Sequence, residues 1–424
     1  MPPTRSSPAH RPTPVVAKPL GSLSDPFRQI YHARYMPLFR NPYTNRQPDS
    51  RPKDPRPPAL NLRDLECQRV LGKGQSQVLL VRNTRRTHAM DIPASFALKA
   101  IRRKMVRDKP ISRLSKPLED ACDPFLQRRR KREIEEHHSA VNLERKALSL
   151  LDWSPFVTGL IDCYHDSQAL YMALEYVPGG TLRSILQNCG GPLKSDVASF
   201  YLANILCALD HIRAQGITHR DIKPANILVG LDGYLVLTDF GSAAKHNDSV
   251  TPWKDIGTPY YMAPEMSLDS PYDPQDAPYA LDIWATGCVL YEMVAGQIAF
   301  SESTVIRTYY ASLQGVKWPS DFRLGQNVKD LTEQMLIVDT PSDRIGVSDI
   351  DEIFGHPWLE KLTKVKVMEK KYFAPYRLPP YQEPSETWHT TSLPKQSHFP
   401  GLTICNVPTL LAHDDRFPRR PECY

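Results

Sequence analysis

One stretch of the sequence, HRDIKPANILVGLDGYLVLTDFG at 219–241, places a high density of charge between apolar runs. Asp221, Lys223 and Asn226 lie close together, and Asp239 directly precedes a Phe-Gly pair. Charged side chains are costly to bury unless they are paired or hydrogen-bonded. The stretch therefore predicts a functional site rather than an ordinary surface turn.

The side chains of this stretch indicate which chemistry the site could perform. Asp221 is a carboxylate able to accept a hydroxyl proton, and Asn226 and Asp239 supply oxygen ligands of the kind that Mg²⁺ prefers. Lys223 lies between them and would neutralise a transferred phosphoryl group. The set matches phosphoryl transfer from ATP, so we expect ATP and Mg²⁺ as cofactors.

Hydrophobic patterning divides the chain into two tails and a central globular part. Residues 1–61 are rich in Pro and Arg, contain 14 of the 40 prolines and show no helical or strand period, so we expect them to be disordered. Short strand patterns begin at residue 62 and continue to about 175, and helical periodicity dominates over 178–360. Residues 361–424 are again Pro- and aromatic-rich, which predicts a tail that is laid over the surface or disordered.

The predicted elements favour an α+β architecture with two unequal lobes. Residues 67–81, 95–101 and 155–177 read as strands, whereas 197–216 and 280–296 read as helices. In the first helix several apolar residues can share one face: Phe200, Leu202, Ile205, Leu206, Leu209 and Ile212. A smaller β-rich lobe and a larger helical lobe would then join near residue 175, and a cleft between such units is a favoured ligand site.

Composition argues against several other classes of protein. The formal net charge of +6 is modest for 424 residues, so it does not indicate nucleic-acid binding. The eight cysteines form no C-x-x-C pair, which argues against a zinc site or a disulfide framework and favours a reducing compartment. We expect neither a membrane span nor a signal peptide. The expected location is cytoplasmic, with the nucleus as an alternative.

Some candidate residues allow two interpretations when each is taken alone. Gly72 and Gly74 fit a turn that approaches a phosphate chain, but they also fit an ordinary hairpin, and Gln77 replaces a third glycine. Lys99 alternates with apolar neighbours and could be a solvent-facing strand residue. Glu144 could likewise be an exposed helix residue.

Taken in order, these motifs resemble those of the protein kinase family. The matching motifs are the Gly-containing loop at 72–78, Lys99, Glu144, HRDIKPAN at 219–226, DFG at 239–241 and APE at 263–265. The resemblance covers residues 62–360. It implies the bilobal protein kinase fold, with a small β-rich N-lobe at 62–175 that carries a basic insert at about 102–135 and a larger helical C-lobe at 178–360.

The resemblance also implies a role for each matched residue. Asp221 would be the catalytic base or hydroxyl-orienting residue, with Lys223 and Thr258 bound to it, and Lys99 would contact the α- and β-phosphates and be held by Glu144. Asn226 and Asp239 would be the Mg²⁺ ligands. The implied nucleotide-binding set is Leu71, Gly72, Lys73, Gly74, Val78, Ala97, Lys99, Leu174, Glu175, Val177 and Leu228.

Other matched positions are implied to be structural. Glu265 and Arg344 match a buried ion pair, and Asp282 matches an aspartate that braces the catalytic loop. A stack that couples the helix of Glu144 to the active state would comprise Leu148, Leu160, His219 and Phe240. Within the family the chain is most like the serine/threonine branch and the cAMP-dependent (AGC) group, with 361–424 as an AGC-like tail.

The chain departs from the family pattern in the segment that usually carries an activating phosphate. Arg220 implies such a phosphate, yet Lys254 stands where AGC-like kinases place the acceptor. We hypothesise that Ser249 or Thr251 is phosphorylated, or that Asp255 substitutes by meeting Arg220.

Substrate selection and the insert also depart from the pattern. Basophilic relatives carry acidic residues where this chain has Thr181 and Ala225, and only Glu292 is kept, so we expect weaker selection for upstream arginine. The cluster QRRRKR at 127–132 could be a nuclear import signal, a docking site or a solvated helix face.

Two alternatives to an active protein kinase remain open. A pseudokinase scaffold would bind nucleotide or partners without turnover, but such chains commonly lose residues of the Lys99, Asp221 or Asp239 type. A kinase-fold enzyme acting on small molecules would generally lack the segment GTPYYMAPE at 257–265. We therefore expect a monomeric protein serine/threonine kinase that acts on Ser/Thr hydroxyls of protein substrates, with an upstream activating kinase as a candidate partner.

Overall fold

The structure is a computed structural model, and it describes residues 65–73, 76–83, 95–102, 144–151, 154–165, 169–246, 253–267 and 270–375. Several expectations lie outside these ranges: those for residues 1–61, the basic insert beyond residue 102, Gly74, Ser249, Thr251 and the tail beyond residue 375. For Lys73 only the backbone is described. Within the part of the chain that the structure describes, no helix is both long and apolar enough to cross a membrane.

The smaller lobe is built on an antiparallel five-stranded sheet with the order β1-β2-β3-β5-β4. Its strands are β1 Leu65–Lys73, β2 Gln77–Asn83, β3 Ser95–Arg102, β4 Leu160–His165 and β5 Ala169–Leu174. Side chains of β3 alternate between two faces, as the strand period of two requires. Phe96 and Leu98 belong to a core cluster inside the small lobe, whereas Ala97 and Ile101 belong to the main core. Lys99 therefore lies on the face that is turned towards the larger lobe.

A helix packs beside this sheet, and residues 144–150 are its described part (α1). Glu144, Ala147, Leu148 and the following Leu151 are buried, which is the spacing of one helical face. Leu150 on the other side is exposed. The expected helix is therefore present, and its buried stripe includes a carboxylate.

The larger lobe is mainly helical. Its helices are α2 Leu182–Cys189, α3 Ser195–Ala214, α4 Pro278–Ala295, α5 Val305–Ser312, α6 Gln326–Met335, α7 Asp351–Phe354 and α8 Lys364–Met368. Short antiparallel pairs join β6 Ile217–Thr218 to β9 Ala244–Lys245 and β7 Ile227–Val229 to β8 Leu235–Leu237. The loops that connect these short strands carry the polar residues of the 219–241 stretch. The fold is thus α+β and bilobal, as the sequence predicts.

Helix α3 is more completely buried than its sequence pattern predicts. Its expected apolar face is buried, but Tyr201, Ala203 and Asn204 are buried as well. Asn204 is accommodated because its Nδ2 donates to the Phe200 carbonyl at 2.6 Å and its Oδ1 accepts from the Leu235 NH at 2.9 Å. The side chain satisfies the end of β8, so α3 runs through the middle of the lobe rather than over its surface.

The described part of the C-terminal segment, residues 361–375, packs on the larger lobe. Lys370 is buried and its Nζ lies 2.7 Å from Asp232 Oδ2. The Tyr234 hydroxyl donates to the Tyr372 carbonyl at 2.7 Å and accepts from the Tyr372 NH at 3.0 Å. Val367 is also buried. This part of the expected tail is therefore laid over the lobe.

Candidate active site

Lys99 of β3 is a buried cation held by two carboxylates. Its side chain is 9% exposed, which excludes the interpretation of a solvent-facing strand residue. Lys99 Nζ donates to Glu144 Oε1 at 2.6 Å and Oε2 at 2.8 Å, and to Asp239 Oδ1 at 2.7 Å. The ammonium group thus links the sheet, the helix α1 and the loop that follows β8.

The protonation equilibria of this trio are coupled. Burial by itself would lower the pKa of Lys99, but the neighbouring charges of Glu144 and Asp239 outweigh it and hold that pKa above its ordinary value. Burial raises the pKa of Glu144, against the opposing charge of Lys99. Burial also acts to raise the pKa of Asp239, yet the Lys99 charge and hydrogen bond prevail and lower it. Lys99 therefore stays cationic and Asp239 stays anionic at neutral pH.

Asp239 and the two residues after it adopt an unusual backbone path. Asp239 has φ 64° and ψ 73°, in the left-handed region, and Phe240–Ser242 then form a 3₁₀ turn. A Cβ added to Gly241 would lie 3.4 Å from Asp239 Oδ1 and 3.7 Å from Glu144 Oε2. Phe240 is fully buried with its ring 4.8 Å from that of His219. The buried phenylalanine anchors the turn that aims the Asp239 carboxylate at the cleft.

A second polar cluster forms around Asp221. Its Oδ2 accepts from Lys223 Nζ at 2.7 Å, and its Oδ1 accepts from Thr258 Oγ1 at 2.7 Å. Lys223 Nζ also donates to Thr258 Oγ1 at 2.7 Å, which closes the triangle. Asn226 Nδ2 donates to the Asp221 carbonyl at 2.9 Å and to Oδ2 at 3.0 Å. The Asp221 carboxylate is thereby fixed in one orientation.

The two candidate metal ligands lie next to the paired strands β7 and β8 rather than within them. Asn226 immediately precedes β7, and its carbonyl accepts from the NH of Thr238, the residue before Asp239, at 3.0 Å. Because Asn226 Nδ2 faces Asp221, its Oδ1 is the side-chain atom that could serve a cation. Mg²⁺ commonly takes one or two protein oxygen ligands and completes its shell with phosphate and water. Asp239 and Asn226 match that requirement in chemical type.

Asp282 of α4 supports the loop of residues 219–226, which the sequence predicts to be the catalytic loop. Its Oδ2 accepts from the His219 NH and its Oδ1 accepts from the Arg220 NH, each at 2.8 Å. Burial raises the pKa of Asp282, and the charges and NH groups of His219 and Arg220 oppose that rise. The bonds hold Arg220 at φ 64°, a conformation that L-residues rarely adopt. Asp282 lies where the sequence predicts a bracing role.

Gly257 is required by a close approach of two loops. It has φ +112°, and an added Cβ would lie 2.6 Å from the Arg220 carbonyl oxygen. That distance is shorter than any ordinary van der Waals contact between carbon and oxygen. The glycine therefore lets the segment that bears Thr258 lie directly against the catalytic loop.

The predicted nucleotide-binding residues that the structure describes come from both lobes, with Leu228 on β7 of the larger lobe. Ala97 is paired with Leu174, and Leu174 is also paired with Leu160. Ala97, Leu174 and Val177 are buried. Three further members are more accessible: Leu71 is exposed, and Val78 and Leu228 are partly buried. Gly72, which is paired with Val78, has open space where a side chain would be.

Glu175 begins the segment that joins the two lobes. Its NH donates to the Gly159 carbonyl at 2.9 Å, and its Oε2 accepts from the Gly159 NH at 3.4 Å. Burial raises the pKa of Glu175 to about 7. At neutral pH this carboxyl is therefore a mixture of protonated and ionised forms, unlike an ordinary surface glutamate.

The predicted structural residues are also brought together. Arg344 and Glu265 form a buried bidentate pair at 2.5 and 2.9 Å. Leu148, Leu160 and Phe240 lie in the main core, and His219 is fully buried against Phe240.

The hypothesis that Asp255 meets Arg220 is not supported. Among the described residues no ion pair joins them, and Asp255 is exposed. Arg220 Nε donates to the Ser242 carbonyl at 2.6 Å, and its guanidinium lies 5.0 Å from the centre of the Trp253 ring. Lys254 Nζ donates to the Ser270 carbonyl at 2.8 Å. The chain turns through φ 58° at Asp255, which directs this residue to solvent.

Sequence reasoning missed three residues near the site: Arg183, Tyr261 and Trp253. Arg183 and Tyr261 both contact Glu292, and Trp253 covers Arg220. Tyr261 lies within the matched segment 257–265 and Trp253 lies four residues before it, so their position could have marked them. Nothing in the local sequence indicates that Arg183 contacts residues so distant along the chain.

Comparison with known proteins addresses the family. The family model described as the protein kinase domain matches residues 125–359, more than half of the chain. The chain belongs to the protein kinase family. The match includes Glu144, the Asp221 cluster and Asp239, whereas Lys99 lies before its first residue.

The relatives with similar sequences indicate the group of protein kinases that this chain resembles. This kinase is 31% identical over 264 residues to cAMP-dependent protein kinase type 3 of Saccharomyces cerevisiae, a match that covers 62% of the chain and 63% of the relative. It is 36% identical over 224 residues to the human cAMP-dependent protein kinase catalytic subunit PRKX, covering 52% and 60%. A third match, to serine/threonine-protein kinase YPK1 of S. cerevisiae, is 31% identical over 323 residues and covers 75% and 41%. The chain thus spans less than two thirds of the length of each of these relatives, and they confirm the predicted likeness to the AGC group.

Proposed function

We propose that this chain is an active protein serine/threonine kinase that transfers the γ-phosphoryl group of ATP to Ser and Thr hydroxyls of protein substrates. The observation that supports this most directly is the simultaneous assembly of two clusters. Lys99 Nζ contacts both Glu144 and Asp239, and the Asp221, Lys223 and Thr258 triangle is closed. Phosphoryl transfer depends mainly on positioning and charge stabilisation, so both clusters have to be in place at once.

The Asp221 carboxylate would act on the acceptor hydroxyl. Its two oxygens are held by Lys223, Thr258 and Asn226, so it is oriented before a substrate arrives. A hydroxyl placed within hydrogen-bond distance of this carboxylate could transfer its proton there as its oxygen bonds to the γ-phosphorus of ATP, while the bond from that phosphorus to the bridging oxygen breaks and ADP leaves. Lys223 would place positive charge beside the same reacting group.

The opposite side of the cleft would hold the nucleotide. Lys99 would bind the α- and β-phosphates, with Glu144 keeping its ammonium group in the cleft, and Asp239 and Asn226 would hold Mg²⁺. When bound, Mg²⁺ supplies positive charge against the phosphate oxygens. The apolar residues Ala97, Leu174 and Val177 would enclose the adenine ring, because a flat heterocycle gains most from contact with buried apolar side chains.

A protein substrate is favoured by the segment that bears Thr258. This segment runs alongside the catalytic loop, and Tyr260 within it is exposed, so it offers an accessible surface next to Asp221.

We also propose that an upstream kinase phosphorylates Ser249 or Thr251. The Asp255 alternative lacks support, and Lys254 has no hydroxyl group that could be phosphorylated.

The first test compares phosphate transfer from labelled ATP with Mg²⁺ to a mixed Ser/Thr protein substrate by wild type and by Asp239→Ala. We expect transfer by the wild type and none detectable by the variant, because the variant loses a metal ligand and a partner of Lys99. Asp339→Ala, which removes an exposed carboxylate of the same type, is the matched control and should retain activity. Thermal melting of all three proteins verifies that they are folded.

Two results would contradict the proposal. Full activity of Asp239→Ala would mean that the described cluster does not perform the transfer. Absence of transfer by the wild type, even after treatment with an upstream kinase, would favour a scaffold that binds nucleotide or partners without turnover.

A further inference from the structure

A cluster of Arg183, Glu292 and Tyr261 lies beside the active site and takes no part in the groups described above. Glu292 of α4 is buried, and its two oxygens are both used. Arg183 Nη1 of α2 donates to Oε1 at 2.5 Å, and the Tyr261 hydroxyl donates to Oε2 at 2.6 Å. Arg183 Nη2 also donates to the Tyr261 hydroxyl. The three groups thus form a closed ring of hydrogen bonds.

This ring lies one turn away from the acceptor-orienting carboxylate. The Tyr261 NH donates to the Thr258 carbonyl at 2.9 Å, so these residues are the ends of a tight turn whose Cα atoms lie within about 7 Å. Thr258 in turn donates to Asp221. An extended peptide advances about 3.4 Å per residue. A peptide whose hydroxyl reaches Asp221 would therefore pass the ring within a few residues of that hydroxyl.

The group that such a peptide would meet is the cation rather than the carboxylate. The Arg183 side chain is 28% exposed, whereas that of Glu292 is only 6% exposed. A carboxylate that is almost fully buried and already paired with Arg183 presents little accessible charge to a basic side chain of a substrate. A partly exposed guanidinium can still donate hydrogen bonds to a second carboxylate, because its five N–H groups exceed the two that the ring uses.

Burial of the tyrosine stabilises this arrangement. Burial raises the pKa of Tyr261, and the Glu292 charge raises it further. The hydroxyl therefore remains a donor to Glu292 across the whole physiological range. The hydrogen bonds among Arg183, Glu292 and Tyr261 would be lost only if another cation displaced Arg183 or if one of these three residues were substituted.

We propose that Arg183 is a specificity-determining residue that covers Glu292 and selects substrates with acidic rather than basic side chains near the phosphorylated Ser or Thr. The inference rests on the proposed kinase activity and goes beyond the expected weaker selection for arginine. Arg183 is the residue that would cause the weaker selection for arginine, and the expected preference is for acidic side chains.

The test uses two peptides that share one Ser acceptor and differ only in having Glu or Arg at the flanking positions. The ratio of kcat/KM for the Glu peptide to that for the Arg peptide is measured for the wild type, Arg183→Leu and the double variant Arg183→Leu with Glu292→Gln. We expect a ratio above one for the wild type, and a shift towards the Arg peptide of roughly fivefold or more in Arg183→Leu, because the Glu292 charge is uncovered. The double variant should give a ratio near one, because it has neither the Arg183 charge that favours Glu nor the Glu292 charge that favours Arg.

Two additional variants serve as a control and as an independent test of the Glu292 charge. Arg307→Leu removes an exposed arginine from α5 and should leave the ratio at its wild-type value. Glu292→Gln alone keeps hydrogen-bonding atoms beside Arg183 but removes the opposing charge, so it should strengthen the preference for Glu even if Arg183→Leu fails to fold. Because each ratio compares two peptides on one preparation, a partly unfolded sample does not alter it.

The possible failures can be told apart. Transfer by the wild type with equal ratios in wild type, Arg183→Leu and Glu292→Gln would overturn this inference and leave the proposed function intact. A wild-type preference for the Arg peptide would also overturn it. Absence of transfer to both peptides and to the mixed protein substrate would overturn the proposed function, and the inference with it.

Discussion

At the scale of single residues, the site contains backbone conformations that cost free energy. Arg220 and Asp239 both have φ 64°, and non-glycine residues held in this region are typically disfavoured by about 1–3 kcal/mol each. Asp282 offsets the cost at Arg220 by accepting hydrogen bonds from the NH groups of His219 and Arg220, and Lys99 holds the carboxylate of Asp239. Such positions persist where geometry matters for function: Arg220 directly precedes Asp221, and Asp239 is itself a proposed metal ligand.

Gly257→Ala tests how closely the loops have to approach. A Cβ at this position would lie 2.6 Å from the Arg220 carbonyl oxygen, so the catalytic loop or the Thr258 segment has to move. A displacement of about 1 Å can lower turnover about a hundredfold, and we expect kcat to fall by that order while the protein remains folded. Gly315→Ala is the matched control, because Gly315 also has positive φ (+75°) but open space around it. Peptide kinase assays that give equal kcat for both variants would contradict the expectation.

Single residues also show where sequence reasoning succeeds and where it stops. Lys99 could be predicted because a local strand pattern contains it and because it stands in the expected order within the series of motifs. Its burial against Glu144 follows once the fold is known. Arg183 is different, because its partners Glu292 and Tyr261 lie 109 and 78 positions away. A contact of that kind depends on how α2 docks against α4, and no short-range pattern encodes it.

At the scale of elements, the ion pair of Glu265 and Arg344 joins three parts of the larger lobe. Arg344 bonds both Glu265 oxygens, the Ala280 carbonyl at the start of α4 and the Ile337 carbonyl after α6. The guanidinium also lies 4.7 Å from the centre of the Trp284 ring. A single buried arginine therefore fixes the segment that follows Thr258 relative to two helices.

Glu265→Gln should destabilise the protein substantially. The variant leaves the Arg344 charge buried without a counter-charge, which typically costs about 3–5 kcal/mol. Urea unfolding followed by circular dichroism measures the change. Glu360→Gln, at an exposed position, should alter the unfolding free energy by less than about 0.5 kcal/mol. Similar losses in both variants would show that the pair is not a special contributor.

Helices and strands could be predicted where the hydrophobic periodicity of the segment itself indicates them. The strands β3 and β5 and the helices α3 and α4 occur where the sequence predicts them. The burial of α3 on more than one face was not predictable, because a polar residue such as Asn204 marks a solvent face in pattern analysis. It is buried here only because Leu235 and Phe200 supply partners, and those partners are set by tertiary packing.

At the scale of the whole molecule, the larger lobe extends beyond the region that the family model matches. That match ends at residue 359, yet Leu362, Val367, Tyr372 and Ala374 belong to the main core. The Lys370 ammonium lies between Asp232 and the rings of Phe156 and Tyr234. Residues 361–375 are therefore part of the folded lobe.

Lys370→Met should lower the unfolding free energy by about 1–3 kcal/mol, because it leaves the Asp232 carboxylate, which is 20% exposed, without its charged partner. The adjacent Lys371→Met is a matched control, since it makes the same chemical change at a side chain that is 44% exposed. Denaturant unfolding of the two variants compares them directly. A larger loss in the control would contradict the assignment of Lys370 to the folded lobe.

The docking of the C-terminal segment also has a mechanical consequence. The Tyr234 hydroxyl is clasped by both backbone groups of Tyr372, and Tyr234 directly precedes β8, the strand that leads to Asp239. A pulling force applied to the chain after residue 375 would therefore act through the two Tyr234–Tyr372 hydrogen bonds on the strand that positions the Asp239 carboxylate. Five residues of backbone, Tyr234 to Thr238, separate the Tyr372 contact from Asp239. The C-terminal segment is thus connected to the proposed metal ligand by a short, mostly β-strand path.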